Sequence, residues 1–152
     1  MLKRTSAIIL LSLVLGGCAS VPMESTQMSD QAKQFTPPAA DKAGLYIYRD
    51  SAFGSALKKD IWIDGKCVGE SAPKTFFYEE VAGDTEHTIS TESEFSPNDL
   101  KLRTDAGKNY FIRQYIKLGL IVGGAGLEVV DEATGMAAVS NLALAKGGTC
   151  SQ

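Results

Sequence analysis

Histidine is almost missing from this chain. His87 is the single one, so a metal site built from several histidines is excluded. Basic clusters are missing too: 15 Lys and Arg stand against 18 Asp and Glu, and no patch gathers that would suit nucleic acid. No apolar run reaches the roughly 20 residues a membrane-spanning helix needs. No internal repeat is visible. The Gly123-Gly124-Ala125-Gly126 stretch lacks the Lys-Ser/Thr of a phosphate-binding loop and opens no helix, so a β-bulge or hairpin turn is expected there. Glu79-Glu80, and Glu92 with Glu94, read as solvated strand and loop charges, because glycosidase chemistry needs two carboxylates set across a cleft. No catalytic residue, metal or cofactor is expected.

What is present begins at the amino terminus. Lys3 and Arg4 precede a short apolar run, Ala7 to Leu15, which has the make-up of a signal peptide. The run ends in Leu15-Gly16-Gly17-Cys18, which resembles the bacterial lipobox, where small residues precede a cysteine that is acylated and becomes the new N-terminus. That resemblance implies cleavage between Gly17 and Cys18, lipid attachment at Cys18, and a partner in the membrane. Ala19 and Ser20 follow, with no Asp directly after the cysteine, so by the same resemblance the protein goes to the outer membrane and faces the periplasm. Losing Lys3 and Arg4 leaves 13 basic against 18 acidic residues. A body of that charge gains nothing electrostatically from an anionic surface, so the lipid must do the anchoring.

Residues 18–43 are rich in Ser, Thr, Gln, Ala and Pro without sustained apolar periodicity, and Pro37-Pro38 blocks helix. A flexible tether is expected here. From Gly44 the pattern changes to period two. Strands are expected at Leu45 to Arg49, Asp60 to Asp64, from Cys67, at Phe76 to Tyr78, His87 to Thr91, Leu100 to Arg103, Asn109 to Ile116, and Leu127 to Val130. Asp64-Gly65 is a favoured hairpin dipeptide. Asp131 suits the N-cap of a helix from about Glu132 to Ala145, whose first turn Gly135 weakens. The reading is a mainly β domain over 44–152: an antiparallel β-sandwich of about seven strands with a C-terminal α-helix. Its expected core draws on Leu45, Ile47, Ile61, Ile63, Val68, Phe77, Val81, Ile89, Leu100, Leu102, Phe111, Ile112 and Leu120.

Three stretches carry a family resemblance: Gly44 to Arg49 (GLYIYR), Trp62 to Lys66 (WIDGK) with Val68-Gly69, and Ala106 to Arg113 (AGKNYFIR). In this order they resemble the DUF2846 domain of bacterial envelope lipoproteins and, more loosely, PEGA-type carbohydrate-surface modules, from which Pro73 departs by following Ala72. The resemblance spans about Ala43 to Val130 and implies no catalytic mechanism.

With Cys18 lipidated, Cys67 and Cys150 remain, and an oxidising periplasm makes a disulfide between them the natural expectation. The alternative is a buried Cys67 and a free Cys150. A Cys67–His87 nucleophile pair lacks an orienting third group, and a sheet-surface role is expected for His87. Tyr46, Tyr48, Trp62, Tyr110 and Tyr115 are a possible binding face for glycan or an envelope protein, or core if a helix covers them. The expected function is that of a lipid-anchored binding or structural module of the envelope. A periplasmic hydrolase or its inhibitor, or an accessory subunit of an envelope assembly, are the alternatives.

Overall fold

The computed structural model describes residues 18–93, 98–121 and 123–151. Met1 to Gly17, which hold the expected leader, and Glu94 lie outside them. Among the described residues, nine strands run in two sheets with two short helices. The elements are α1 (Thr26–Ala32), β1 (Lys42–Arg49), β2 (Lys59–Ile63), β3 (Lys66–Ser71), β4 (Thr75–Ala82), β5 (Glu86–Thr91), β6 (Asn98–Arg103), β7 (Asn109–Lys117), β8 (Gly124–Val130), α2 (Glu132–Val139) and β9 (Ala143–Leu144). One sheet has the order β8-β7-β1-β4-β9 and the other β3-β2-β5-β6.

Alternation along the strands sets the layers. Leu45 and Ile47 of β1, Phe77 of β4 and Ile112 of β7 point from the larger sheet toward Ile61, Ile63, Val68 and Ile89 of the smaller one, forming the sandwich interior. Val81, Leu100 and Leu102 pack at its margin, half-buried. The intervening residues of the larger sheet, Tyr46, Tyr48, Phe76 and Phe111, face the other way and form a second core with Val139 and Leu142, helped by Ala32 and Phe35. A polar chain crosses the sandwich interior. Ser71 donates to Gln114, whose Nε2 donates to Thr91 Oγ1 at 2.7 Å, and Thr91 donates to the Asp60 carbonyl at 2.8 Å.

The domain thus has three layers, and two pairings are parallel, β1 with β7 and β4 with β9. The Asp64-Gly65 hairpin forms with both residues at positive φ, 50° and 77°, as its twist requires.

Four expectations are corrected. The tether is not a solvated linker over its length. Ser25 caps α1 by accepting from the Met28 amide, Met23 bridges to Ala145, and Phe35 packs on Tyr46 and Phe111. An aromatic sheet face needs cover, and this segment supplies part of it. The C-terminal helix ends at Val139 rather than Ala145, because the Ser140 hydroxyl donates to the Met136 carbonyl and the Asn141 side-chain Nδ2 to the Ala137 carbonyl. Three residues of the Gly-rich stretch lie within a strand, Gly124, Ala125 and Gly126 pairing with Lys117, Ile116 and Tyr115, and Gly123 directly precedes it. Leu120, expected in the core, is 88% exposed.

Candidate functional site

A groove of 460 Å³ runs between α1 and the outer edge of β4. Its origin is topological. β9 pairs with Thr75 and Phe76 of β4, and the chain then leaves the sheet, the Lys146 amide going to the Pro22 carbonyl. The Phe76 carbonyl accepts from Ala145 at 2.8 Å, so the even-numbered residues of β4 turn their backbone groups toward this edge. The backbone of Tyr78 and Glu80 therefore faces the groove, with no further strand beside it among the described residues. Met28, Gln31 and Thr36 form the opposite wall.

The groove is aromatic and acidic. Tyr46 donates to the Ala32 carbonyl at 2.9 Å, and burial with the nearby Glu80 charge pushes its pKa up to about 12. Tyr78 donates to Glu80 at 3.1 Å; burial, then that hydrogen bond, raises its pKa as well. Glu79 has no cation partner among the described residues, and burial raises its carboxyl above the usual range. Adjacent strand residues point to opposite sides, so Glu79 and Glu80 reach the groove from opposite faces of β4. Hydrogen-bond acceptance and strand pairing are the chemistry this arrangement offers.

The five aromatics expected to form one face are distributed over three surfaces. Tyr46 and Tyr48 are 1% and 2% exposed, buried beneath the helices. Burial also raises the Tyr48 pKa. Trp62 stands on the outer side of the smaller sheet, since its neighbours Ile61 and Ile63 face inward. Tyr110 packs on the sandwich interior and accepts from the Asp105 amide at 2.8 Å. Tyr115 lies beside Gly126 with Lys117 Nζ 6.0 Å above its ring. Of these only Tyr46 lines the groove, and the open β4 edge was missed because a two-residue β9 leaves no period in the sequence.

Cys67 and Cys150 form a disulfide across 83 residues of sequence, with their Cα atoms 6.0 Å apart. It fastens the tail to the smaller sheet. The Gly148 amide donates to the Val68 carbonyl, and the Ser151 amide and hydroxyl donate to Asp60 at 2.8 and 2.9 Å. With its sulfur bonded, Cys67 has no thiol to pair with His87. The histidine instead lies between two acceptors, Asp64 Oδ2 at 2.6 Å from Nδ1 and the Ala82 carbonyl at 2.8 Å from Nε2. Both ring nitrogens donate in the charged imidazolium. Burial opposes that charge, but the Asp64 and Ala82 hydrogen bonds outweigh it and raise the His87 pKa.

Cys18 is exposed and outside the disulfide. The next residue is already docked, the Ala19 amide donating to the Ser55 carbonyl at 2.7 Å. A buried cation holds the loop that receives it. Arg49, fully buried at the end of β1, donates to the carbonyls of Leu57 (2.6 Å), Gly54 (2.7 Å) and Phe53 (3.3 Å). The GLYIYR motif gives Arg49 no role by itself, yet its position carries the signal: it follows Leu45 and Ile47 on the inward face.

Two comparisons bear on this architecture. A family model described as a protein of unknown function, DUF2846, matches residues 39–125, from just before β1 to the start of β8. An uncharacterized protein of Haemophilus influenzae is 56% identical over 140 residues, which cover 92% of this chain and 83% of that protein. The GLYIYR, WIDGK and AGKNYFIR stretches of β1, the β2–β3 hairpin and β7 all fall inside the matched range, and the chain belongs to the DUF2846 family.

Proposed function

We propose that this protein is a lipoprotein of the bacterial outer membrane, facing the periplasm, and that its domain is a binding or structural module of the envelope rather than an enzyme. One observation carries the reading. Of three cysteines, two are consumed by a disulfide suited to an oxidising compartment, and the third, exposed Cys18, ends a short apolar run after Leu15-Gly16-Gly17. The β4 groove is its working surface. Edge backbone at Tyr78 and Glu80, with acidic and aromatic side chains beside it, suits an extended segment of an envelope partner that adds as a strand.

Metabolic labelling with an alkyne analogue of palmitate tests the anchor. The wild type is expected to take up label and Cys18→Ser to take up none. Equal labelling of both would remove the lipid from Cys18.

A further inference from the structure

The chain leaves Cys18 at one end of the sandwich. β1 and β7 run parallel, so the loop after β1 and the loop after β7 emerge at the same end. Ala19 is hydrogen-bonded to Ser55 of the first loop, one residue from the cysteine. Gly54 of that loop packs against Ile116 at the end of β7, and Leu57 packs against Gly123, where the second loop re-enters the sheet. The two loops and Ala19 thus form one continuous surface.

That surface is unusually apolar for one turned to water. Phe53 is 54% exposed, Leu118 87%, Leu120 88% and Ile121 86%. Scattered single apolar residues on a surface are ordinary, but four large ones gathered on adjoining loops mark a contact. Solvent does not explain them, and the sandwich interior, which excludes Leu120, does not use them.

We propose that this end of the domain docks on the bilayer that holds the anchor, with Phe53, Leu118, Leu120 and Ile121 entering the boundary between headgroups and acyl chains. The inference rests on acylation of Cys18. The occupant follows from distance: acyl chains on Cys18 would place lipid within a residue of Ser55 and so beside the loops. One anchoring signal adds to another, because apolar burial at the interface accumulates with each group inserted. The Arg49 clamp then has a consequence beyond folding. By holding the carbonyls of Phe53, Gly54 and Leu57 it fixes both the contact for Ala19 and the presentation of Phe53. The domain sits on the membrane in a set orientation instead of swinging on a tether.

The test uses the full-length protein, exported and purified from membranes, with its acylation read by intact mass. Trp62 is the single tryptophan, so Trp62→Phe clears the background. Leu120→Trp is added in one variant and Lys66→Trp, beside the Gly65 turn at the opposite end, in another. Both are reconstituted in phosphatidylcholine vesicles brominated at shallow acyl positions. The result expected is that tryptophan at 120 loses most of its emission while tryptophan at 66 loses none. An acylated protein whose tryptophan at 120 keeps its emission overturns the docking and leaves the anchor standing. Equal quenching at both positions overturns the set orientation. A blue shift at 120 without quenching, together with a dimer in sedimentation, assigns the loops to a second copy and also overturns it. A chain without acyl mass fails the underlying reading, and that is seen before any fluorescence is recorded.

Discussion

Gly135 of α2 lies directly on the ring of Phe111 in β7. A Cβ added at Gly135 would stand 2.6 Å from Cδ1 of Phe111, and closer still to its Cβ and Cγ. The contact explains a residue that local preference disfavours. Glycine costs a helix interior about 1 kcal/mol relative to alanine, yet here its missing side chain lets the helix settle onto the second core.

Gly135→Ala therefore separates local propensity from packing. Propensity alone would stabilise by about 1 kcal/mol, whereas overpacking a full core costs about 1–3 kcal/mol. A net loss is expected, read as a lowered urea midpoint with an unchanged slope. A raised midpoint would mean that α2 does not bear on Phe111.

Removing Arg49 should be costly in a graded way. Arg49→Ala empties a fully buried site and takes the guanidinium from the part-buried carbonyls of Phe53, Gly54 and Leu57, of which Gly54 keeps the Leu57 amide as donor, and a loss of about 3 kcal/mol or more is expected. Arg49→Lys keeps a charge but offers a point donor in place of a fork, so an intermediate loss is expected. Denaturant titration of both variants checks the order. Equal stability of the two would show that the fork is not what holds the loop.

The His87–Asp64 pair predicts a pH window. The folded His87 pKa is raised, so its contribution is full below the unfolded value of about 6.5 and is lost as pH rises through the folded value. The Asp64 pKa is lowered: burial opposes ionisation, but its bonds to His87 and the Thr88 amide prevail. Its contribution is present above about pH 3.9 and is lost as pH falls through the folded value. Because the chain has one histidine, its proton resonance titrates without ambiguity. A midpoint above that of free imidazole is expected, moving down in Asp64→Asn; a midpoint that ignores Asp64 would break the pair.

The tail should depend on its disulfide. Closing a loop of 83 residues stabilises by about 4.5 kcal/mol in the chain-entropy model. The double variant Cys67→Ser, Cys150→Ser should lose stability on that scale, and amide exchange at Gly148 and Ser151 should quicken. Unchanged exchange would mean that the Val68 and Asp60 contacts hold the tail unaided.

How much of this was legible follows from the range of each interaction. The strands of the sandwich were readable because Leu45, Ile47, Ile61 and Ile63 alternate with outward residues over short windows. The Asp64-Gly65 turn was readable for the same reason, its geometry being local. The docking of residues 19–43 was not, because Phe35 finds Tyr46 and Phe111 only after β1 and β7 are paired. The second core misled in the same way: Tyr46 and Tyr48 look like a binding face until helices cover them. Ala143-Leu144 reads as helix by composition, and only the edge of β4 makes it a strand. That short pairing, in turn, leaves the groove open. Hydrophobicity alone puts Leu120 in the core, and its 88% exposure on a loop at the Cys18 end reverses that reading.

The most direct measurement is the intact mass of the mature protein, taken with sucrose-gradient fractionation of its membranes beside a Cys18→Ser variant. A chain beginning at an acylated Cys18 in the outer-membrane fraction, with the variant released from membranes, is the result expected. A wild-type chain that carries no lipid and stays in the soluble fraction would contradict the anchor, and with it the placement of this domain at the membrane.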